Sequence, residues 1–309
     1  MKGLELSRKY FEAYGRSMLE EDFSDLLPHC AAGLFGSGSE CYGYDDELSQ
    51  DHDFEPGFCI FLPRGTDERR VFQLERAYAK LPKEFEGYRR SLVSPAGGNR
   101  HGVFILEDFF EERIGTEDGY LTLSQWFSLP ESALLEAVNG EVFFDNEGTL
   151  TEMRRRLAKM PEDIRKKKIA GNLLLMNQSG QYNYPRIMKR NDEGAAQLCV
   201  IEFVKAALHT VFLLNRSYIP YYKWTFRALE DLTVLSSLKE RLIFLLNTDN
   251  TDSSSKTAAM DEVMREISAE CLRQGLITKD GEDLEKLAYQ VNDTIRDGEI
   301  RNLHILAGV

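Results

Sequence analysis

The sequence predicts two halves of different class: a small α+β or α/β half, a mixed sheet with covering helices, over residues 1–145, and an all-α helical bundle over residues 146–309. Two observations carry this reading. Short apolar segments of strand length at 31–35, 58–62 and 101–107 alternate with segments of helical period. After about residue 145 the strand signals fade and helical periods follow one another. The length of 309 residues agrees, since it suits about two domains, each able to bury its own core.

Each element has its own justification. Leu4, Tyr10, Phe11, Tyr14 and Leu19 recur at roughly helical spacing, so residues 4–21 form an opening helix. Ala31-Ala32-Gly33-Leu34-Phe35 is apolar and bounded by turn residues, a strand entering the small-residue turn Gly36-Ser37-Gly38-Ser39. Phe58-Cys59-Ile60-Phe61-Leu62 is its partner. A helix over 71–81 ends at Pro82. Val103, Ile105 and Glu107 alternate with Gly102, Phe104 and Leu106, a third strand over 101–107. In the second half, helices are expected over 149–159, 162–177, 194–215, 224–246, 256–274 and 283–296, with Pro161 and Pro220 at helix starts. The polar run 247–255 reads as a mobile loop.

Composition narrows the function. With no apolar run near the roughly 20 residues a bilayer needs, and no signal-peptide pattern at the start, no membrane partner is expected. The five cysteines are scattered and contain no Cys-x-x-Cys pair, so they read as reduced thiols of a cytoplasmic protein rather than zinc ligands. A net charge of −13 disfavours broad nucleic-acid binding, which wants a basic face. It would suit a cationic small substrate or a basic protein patch, but plain solubility is the stronger reading. The basic cluster from Arg154-Arg155-Arg156 to Arg165-Lys166-Lys167-Lys168 reads as a solvated helix surface.

The densest chemistry lies at 36–53. A Gly-Ser turn offers backbone N–H groups to a phosphate chain, and Asp51 and Asp53, two apart, reach one divalent cation if they lie on a strand. His52 then faces away and packs. Asp45 and Asp46 read as turn or capping residues. A third carboxylate usually completes such a site; Glu107 is the candidate, with an exposed strand end as its other reading, and the adjacent Asp108 points to the other face. No Gly-x-Ser-x-Gly elbow surrounds Ser37 or Ser39, and the turn lacks the Lys-Ser/Thr ending of a P-loop.

Gly38-Ser39, eleven residues, then Asp51-His52-Asp53 and an apolar strand resembles the polymerase-beta-like nucleotidyltransferase superfamily; Gly36-Ser37, with thirteen residues between, is the alternative register. The resemblance implies transfer of a nucleoside monophosphate, expected to be AMP, from an NTP (ATP the expected donor) to a hydroxyl-bearing acceptor, with Mg²⁺ held by Asp51, Asp53 and Glu107. Together with Asn177-x3-Gln181-Tyr182-Asn183-Tyr184-Pro185-Arg186 and Asn215-Arg216-Ser217-Tyr218-x-Pro220-Tyr221-Tyr222-Lys223-Trp224, the chain also resembles an uncharacterised bacterial family. Its members join such a nucleotidyltransferase domain to a helical C-terminal domain. The architecture is similar, more loosely, to aminoglycoside nucleotidyltransferases.

Three further alternatives stay open in the sequence. Lys223 is either a cation for phosphate or a lysine snorkelling from an aromatic helix. Arg186 and Arg190, four apart, either grip phosphate or acceptor or lie on a solvated face. The whole chain is either an enzyme or a catalytically inactive nucleotide-binding or protein-interaction module. A protein- or tRNA-modifying antitoxin-type enzyme is a further option, which length and acidity disfavour.

Overall fold

The structure, a computed structural model, describes residues 1–50, 54–90, 100–281 and 283–309. It divides into two units, Met1–Thr122 with Ser132–Lys159, and Leu123–Glu131 with Met160–Val309. The boundary expected at 145 falls inside the first unit, because a strand at 141–145 pairs into the sheet and the helix after it stays with that strand.

In chain order, α1 (Gly3–Tyr10) passes through a wider π-helical turn (Phe11–Gly15) into α2 (Arg16–Asp22). Then come β1 (Ala31–Leu34), α3 (Ser39–Tyr42), β2 (Cys59–Leu62), α4 (Glu68–Lys80) and the hairpin β3 (Glu84–Phe85) and β4 (Tyr88–Arg89). β5 (Gly102–Ile105) and α5 (Leu106–Ile114) follow, then α6 (Leu123–Ser128), which belongs to the second unit, α7 (Glu131–Val138), β6 (Glu141–Asp145) and α8 (Thr149–Leu157).

The sheet has the order β5-β2-β1-β6. β2 and β5 are parallel and the other pairs antiparallel, so the sheet is mixed. Ala31 lies opposite Phe61 and Gly33 opposite Cys59. The end at which β1 finishes is therefore the end at which β2, β5 and β6 begin.

β2 is buried along its whole length, which explains its unbroken apolar sequence. Ile60 and Leu62 join Tyr10, Phe11, Leu19, Leu74 and Tyr78 in one core. On the opposite face Phe61 stacks on Phe35 with ring centroids 5.3 Å apart and meets Phe109 edge-on at 5.0 Å. The Tyr78 hydroxyl donates to the Phe58 carbonyl at 2.7 Å and accepts from its N–H at 3.0 Å, pinning the chain as it enters β2.

Two expectations change here. The strand expected over 101–107 ends at Ile105, and Glu107 lies in the first turn of α5. β6 was not anticipated; it is reached through Gly140, whose φ of +60° and closeness to β1 exclude a side chain, since a Cβ there would lie 2.8 Å from Phe35 Cα.

The second unit continues with α9 (Glu162–Met176), which runs through a π-helical stretch (Asn177–Asn183) into α10 (Tyr184–Met188). α11 (Glu193–Leu214), α12 (Tyr222–Glu230), α13 (Lys239–Asn247), α14 (Ser253–Arg273), α15 (Leu284–Asp293) and α16 (Gly298–Asn302) complete it. The single helix expected over 224–246 is two, broken near Leu235, which takes φ +62°.

α11 also corrects the absence of a long apolar run: by length and composition alone its 22 residues are enough to cross a membrane. In this fold 61% of that apolar window is buried, and α11 packs against α9, α13 and α14 as a core helix.

The basic cluster is a solvated surface only in part: Arg155 is exposed, whereas the 165–168 segment is largely buried. Arg165, Lys167 and Lys168 are each at most 3% exposed. Arg165 donates to the Leu213 carbonyl at 3.0 Å, and Lys167 to the carbonyls of Arg301 and Leu303 at 3.1 and 2.7 Å and to Asn292 Oδ1 at 2.8 Å. These cations satisfy carbonyls left over where helices and turns end. The 247–255 run is similarly tied down: α14 begins at Ser253, and the buried Lys256 ammonium donates to the Thr248 carbonyl and to Asn250 Oδ1, both at 2.9 Å.

Candidate functional site

The Gly36-Ser37-Gly38-Ser39 turn sits where β1 ends and α3 begins, at the end of the sheet from which β2, β5 and β6 start. Gly36 takes φ +132°, a conformation side chains strain to adopt. The turn is held by Asn139, on the loop before β6. Its Oδ1 accepts from the Gly36 N–H at 2.9 Å and its Nδ2 donates to the Gly36 carbonyl at 2.8 Å. Gly140 N–H closes the same junction on the Cys41 carbonyl at 2.9 Å.

Beyond Gly36 the backbone opens. Among the described residues, the N–H groups of Ser37, Gly38 and Ser39 have no hydrogen-bond acceptor. Three successive unpaired donors at a strand end form the kind of cradle that takes an anion. A cation flanks it: the Arg100 guanidinium lies against Gly38 and pairs with the buried Glu40. Arg154 supports the turn from beneath, its guanidinium 4.5 Å from the Phe35 ring centroid while it donates to the carbonyls of Val138 and Asn139 at 2.8 and 2.6 Å.

The other acids at this end are already matched. Glu55 lies 3.4 Å from His101 Nδ1, and Glu141 Oε2 accepts from Arg8 Nε at 3.1 Å. The thiols nearby are inert: burial raises the Cys59 thiol to about 12, and burial, then the neighbouring Glu40, pushes Cys41 well up.

The fate of each expected residue is distinct. Gly36, Ser37, Gly38 and Ser39 come together with Arg100 and Asn139. Asp51, His52 and Asp53 lie outside the described residues. Asp45 is structural, as expected: its Oδ2 accepts from the Gly3 N–H at 2.8 Å and Lys2 lies 3.3 Å from its Oδ1. Asp46 caps its own turn by accepting from Leu48 and Ser49 N–H, each at 3.0 Å.

Glu107 is not brought to the turn. Since β5 starts beside Cys59 and ends beside Leu62, Glu107 lies past the opposite end of the sheet. There its Oε2 accepts from the Arg64 N–H at 2.8 Å, and Asp108 pairs with the Arg64 side chain at 2.6 Å. Among the described residues no three metal-ligating side chains converge.

Arg186 and Lys223 belong to the second unit. The Arg186 guanidinium lies 3.3 Å from the Tyr182 ring centroid, and the exposed Lys223 ammonium 4.9 Å from that of Trp224. Both are cation–π contacts on the surface of their own helices. Asn139, Arg100 and Arg154 escaped the sequence reading. Only the Asn139-Gly140 pair, a turn dipeptide preceding an apolar run, carried a readable signal.

No curated protein matches this chain. A family model described as Domain of unknown function (DUF4037) matches residues 126–225, about the first half of the helical unit together with α6, α7, β6 and α8, and it includes Arg186 and Lys223 but not the Gly-Ser turn or the Asp pair.

Proposed function

We propose that the first unit is a Mg²⁺-dependent nucleotidyltransferase that moves a nucleoside monophosphate, AMP by preference, from an NTP to a hydroxyl-bearing acceptor and releases pyrophosphate. One observation carries the reading. β1 delivers the unpaired N–H groups of Ser37, Gly38 and Ser39 to one end of the sheet, and β2 enters at that same end six residues after Asp53 in the sequence.

In this reading the turn binds the triphosphate through its backbone donors, and Arg100, held by Glu40, offers guanidinium N–H donors beside it. Asp51 and Asp53 supply the hard oxygen donors that Mg²⁺ prefers, and the bound ion would neutralise charge on the triphosphate. Catalysis then comes chiefly from positioning and charge stabilisation, as expected where a phosphoryl centre is attacked in line. Glu107 has no part, being committed to Arg64 at the far end of the sheet. Asn139 is a positioning residue, acting through Gly36.

The test is incubation of the full chain with each labelled NTP, Mg²⁺ and a metabolite extract. A labelled product together with pyrophosphate supports transfer. NTP binding without any product identifies a nucleotide-binding module instead, and neither binding nor product refutes the reading.

A further inference from the structure

The second unit holds a cavity of about 440 Å³ that plays no part in the reading above, lined by residues of that unit alone. Most of its lining falls within the matched segment 126–225. Its inner wall carries two charges with almost no contact with solvent: the side chains of Lys168 and Glu131 are each only 4% exposed. Buried charges are costly unless hydrogen-bonded, and these two make no hydrogen bond to each other. Lys168 Nζ lies 4.0 Å from Glu131 Oε1, beyond hydrogen-bond reach, and among the described residues its ammonium donates to nothing else. Glu131 has only a long contact from the Ile219 N–H, at 3.4 Å. His209 Nδ1 stands 3.6 Å from Glu131 Oε1, at the mouth of the cavity. Asn172, also buried, spends its Nδ2 on the Lys168 carbonyl at 2.9 Å, which leaves its Oδ1 to accept.

These gaps have a definite size. Two atoms 4.0 Å apart can both lie about 2.8 Å from a single oxygen placed between them. An oxygen that both accepts (from Lys168) and donates (to Glu131) is that of a hydroxyl or of a water. The cavity exceeds by an order of magnitude the roughly 30 Å³ that one water occupies, and it falls in the range of small-molecule pockets. Its ammonium and carboxylate side chains balance: Lys168 faces Glu131, and at the rim Lys205 pairs with Glu202 at 3.2 Å. A strong anion or cation therefore finds no net attraction.

We propose that this cavity binds a small, net-neutral polyol, one hydroxyl of which bridges Lys168 and Glu131. The proposal does not depend on nucleotidyl transfer, because none of its residues belongs to the Gly-Ser turn or the Asp pair. Burial lowers the pKa of Lys168, outweighing the opposite effect of the charge on Glu131, which favours the neutral amine that reductive methylation requires.

The test uses the full chain and three uncharged polyols (myo-inositol, sorbitol and methyl glucoside), with inorganic phosphate as the anionic and serine as the zwitterionic comparison. Saturation-transfer NMR is expected to show saturable binding of at least one polyol, with affinity reduced at least about tenfold in Lys168→Met and Glu131→Gln, the loss of a charge-assisted hydrogen bond. In the unmodified protein, that polyol should slow reductive methylation of Lys168 and leave the exposed Lys223, outside the cavity, unchanged, a readout that holds even if the variants fold poorly. Binding by none of the three, absence of Lys168 protection, or tighter binding of phosphate or serine overturns the proposal.

Discussion

Replacing Asn139 by alanine isolates the support of the Gly-Ser turn. The side chain makes two hydrogen bonds to Gly36, at 2.9 and 2.8 Å. At about 1 kcal/mol net for each, the variant should lose about 2 kcal/mol of local stability, or roughly 30-fold in the equilibrium for opening the turn. Asn139→Asp keeps the acceptor for the Gly36 N–H and loses the donor, so it should fall between the two. Hydrogen exchange resolved at the Gly36 amide reads the opening directly, and urea unfolding shows how much of it is felt globally. If the account is right, exchange at Gly36 accelerates by about that factor while amides in α14 keep their protection. Unchanged Gly36 protection in Asn139→Ala would show that Asn139 does not hold the turn.

Three further outcomes follow from other parts of the structure. Glu107→Ala should cost about 1 kcal/mol, as loss of one hydrogen bond to a backbone N–H does, and leave any nucleotidyl transfer unchanged; a collapse of turnover would return Glu107 to the site. Lys256→Met leaves the Thr248 carbonyl without its ammonium donor and Asn250 Oδ1 with the Tyr184 hydroxyl alone, and should cost about 2 kcal/mol in urea unfolding; a stability equal to wild type would mean the 247–255 segment is held by something else. Burial pushes the Glu162 carboxyl up, but Arg165 and Arg216 outweigh it and hold the group at about 2, against an ordinary 4.5. A depressed carboxylate stabilises the fold above its unfolded value, so the gap in unfolding midpoint between wild type and Glu162→Gln should be constant above about pH 4.5 and close as pH falls toward 2. A gap unchanged at the acid end would contradict that pairing.

What the sequence revealed and what it hid have physical causes. β2 was legible because both its faces are buried, so its apolar run is continuous. β6 was not, because acidic residues bound its short apolar centre and its role is set by pairing with a strand more than a hundred residues earlier. Alternation over 101–107 crossed a strand–helix junction, and a pattern so short fits either period, which is how Glu107 came to be placed on the wrong end of the sheet. The basic residues at 165–168 looked solvated because their partners are mostly backbone carbonyls from distant segments, and a carbonyl has no letter in a sequence. For the site, the turn was legible as Gly-Ser spacing, whereas Asn139, Arg100 and Arg154 reach it only through tertiary structure.

The central claim is that the Gly-Ser turn and the Asp pair form one metal-dependent triphosphate site. It is tested most directly by Mg²⁺-dependent pyrophosphate release from ATP, in the presence of metabolite extract, by wild type and by the double variant Asp51→Asn with Asp53→Asn. The account predicts release by wild type and none by a double variant whose unfolding midpoint is unchanged. Equal release by the two proteins would contradict it.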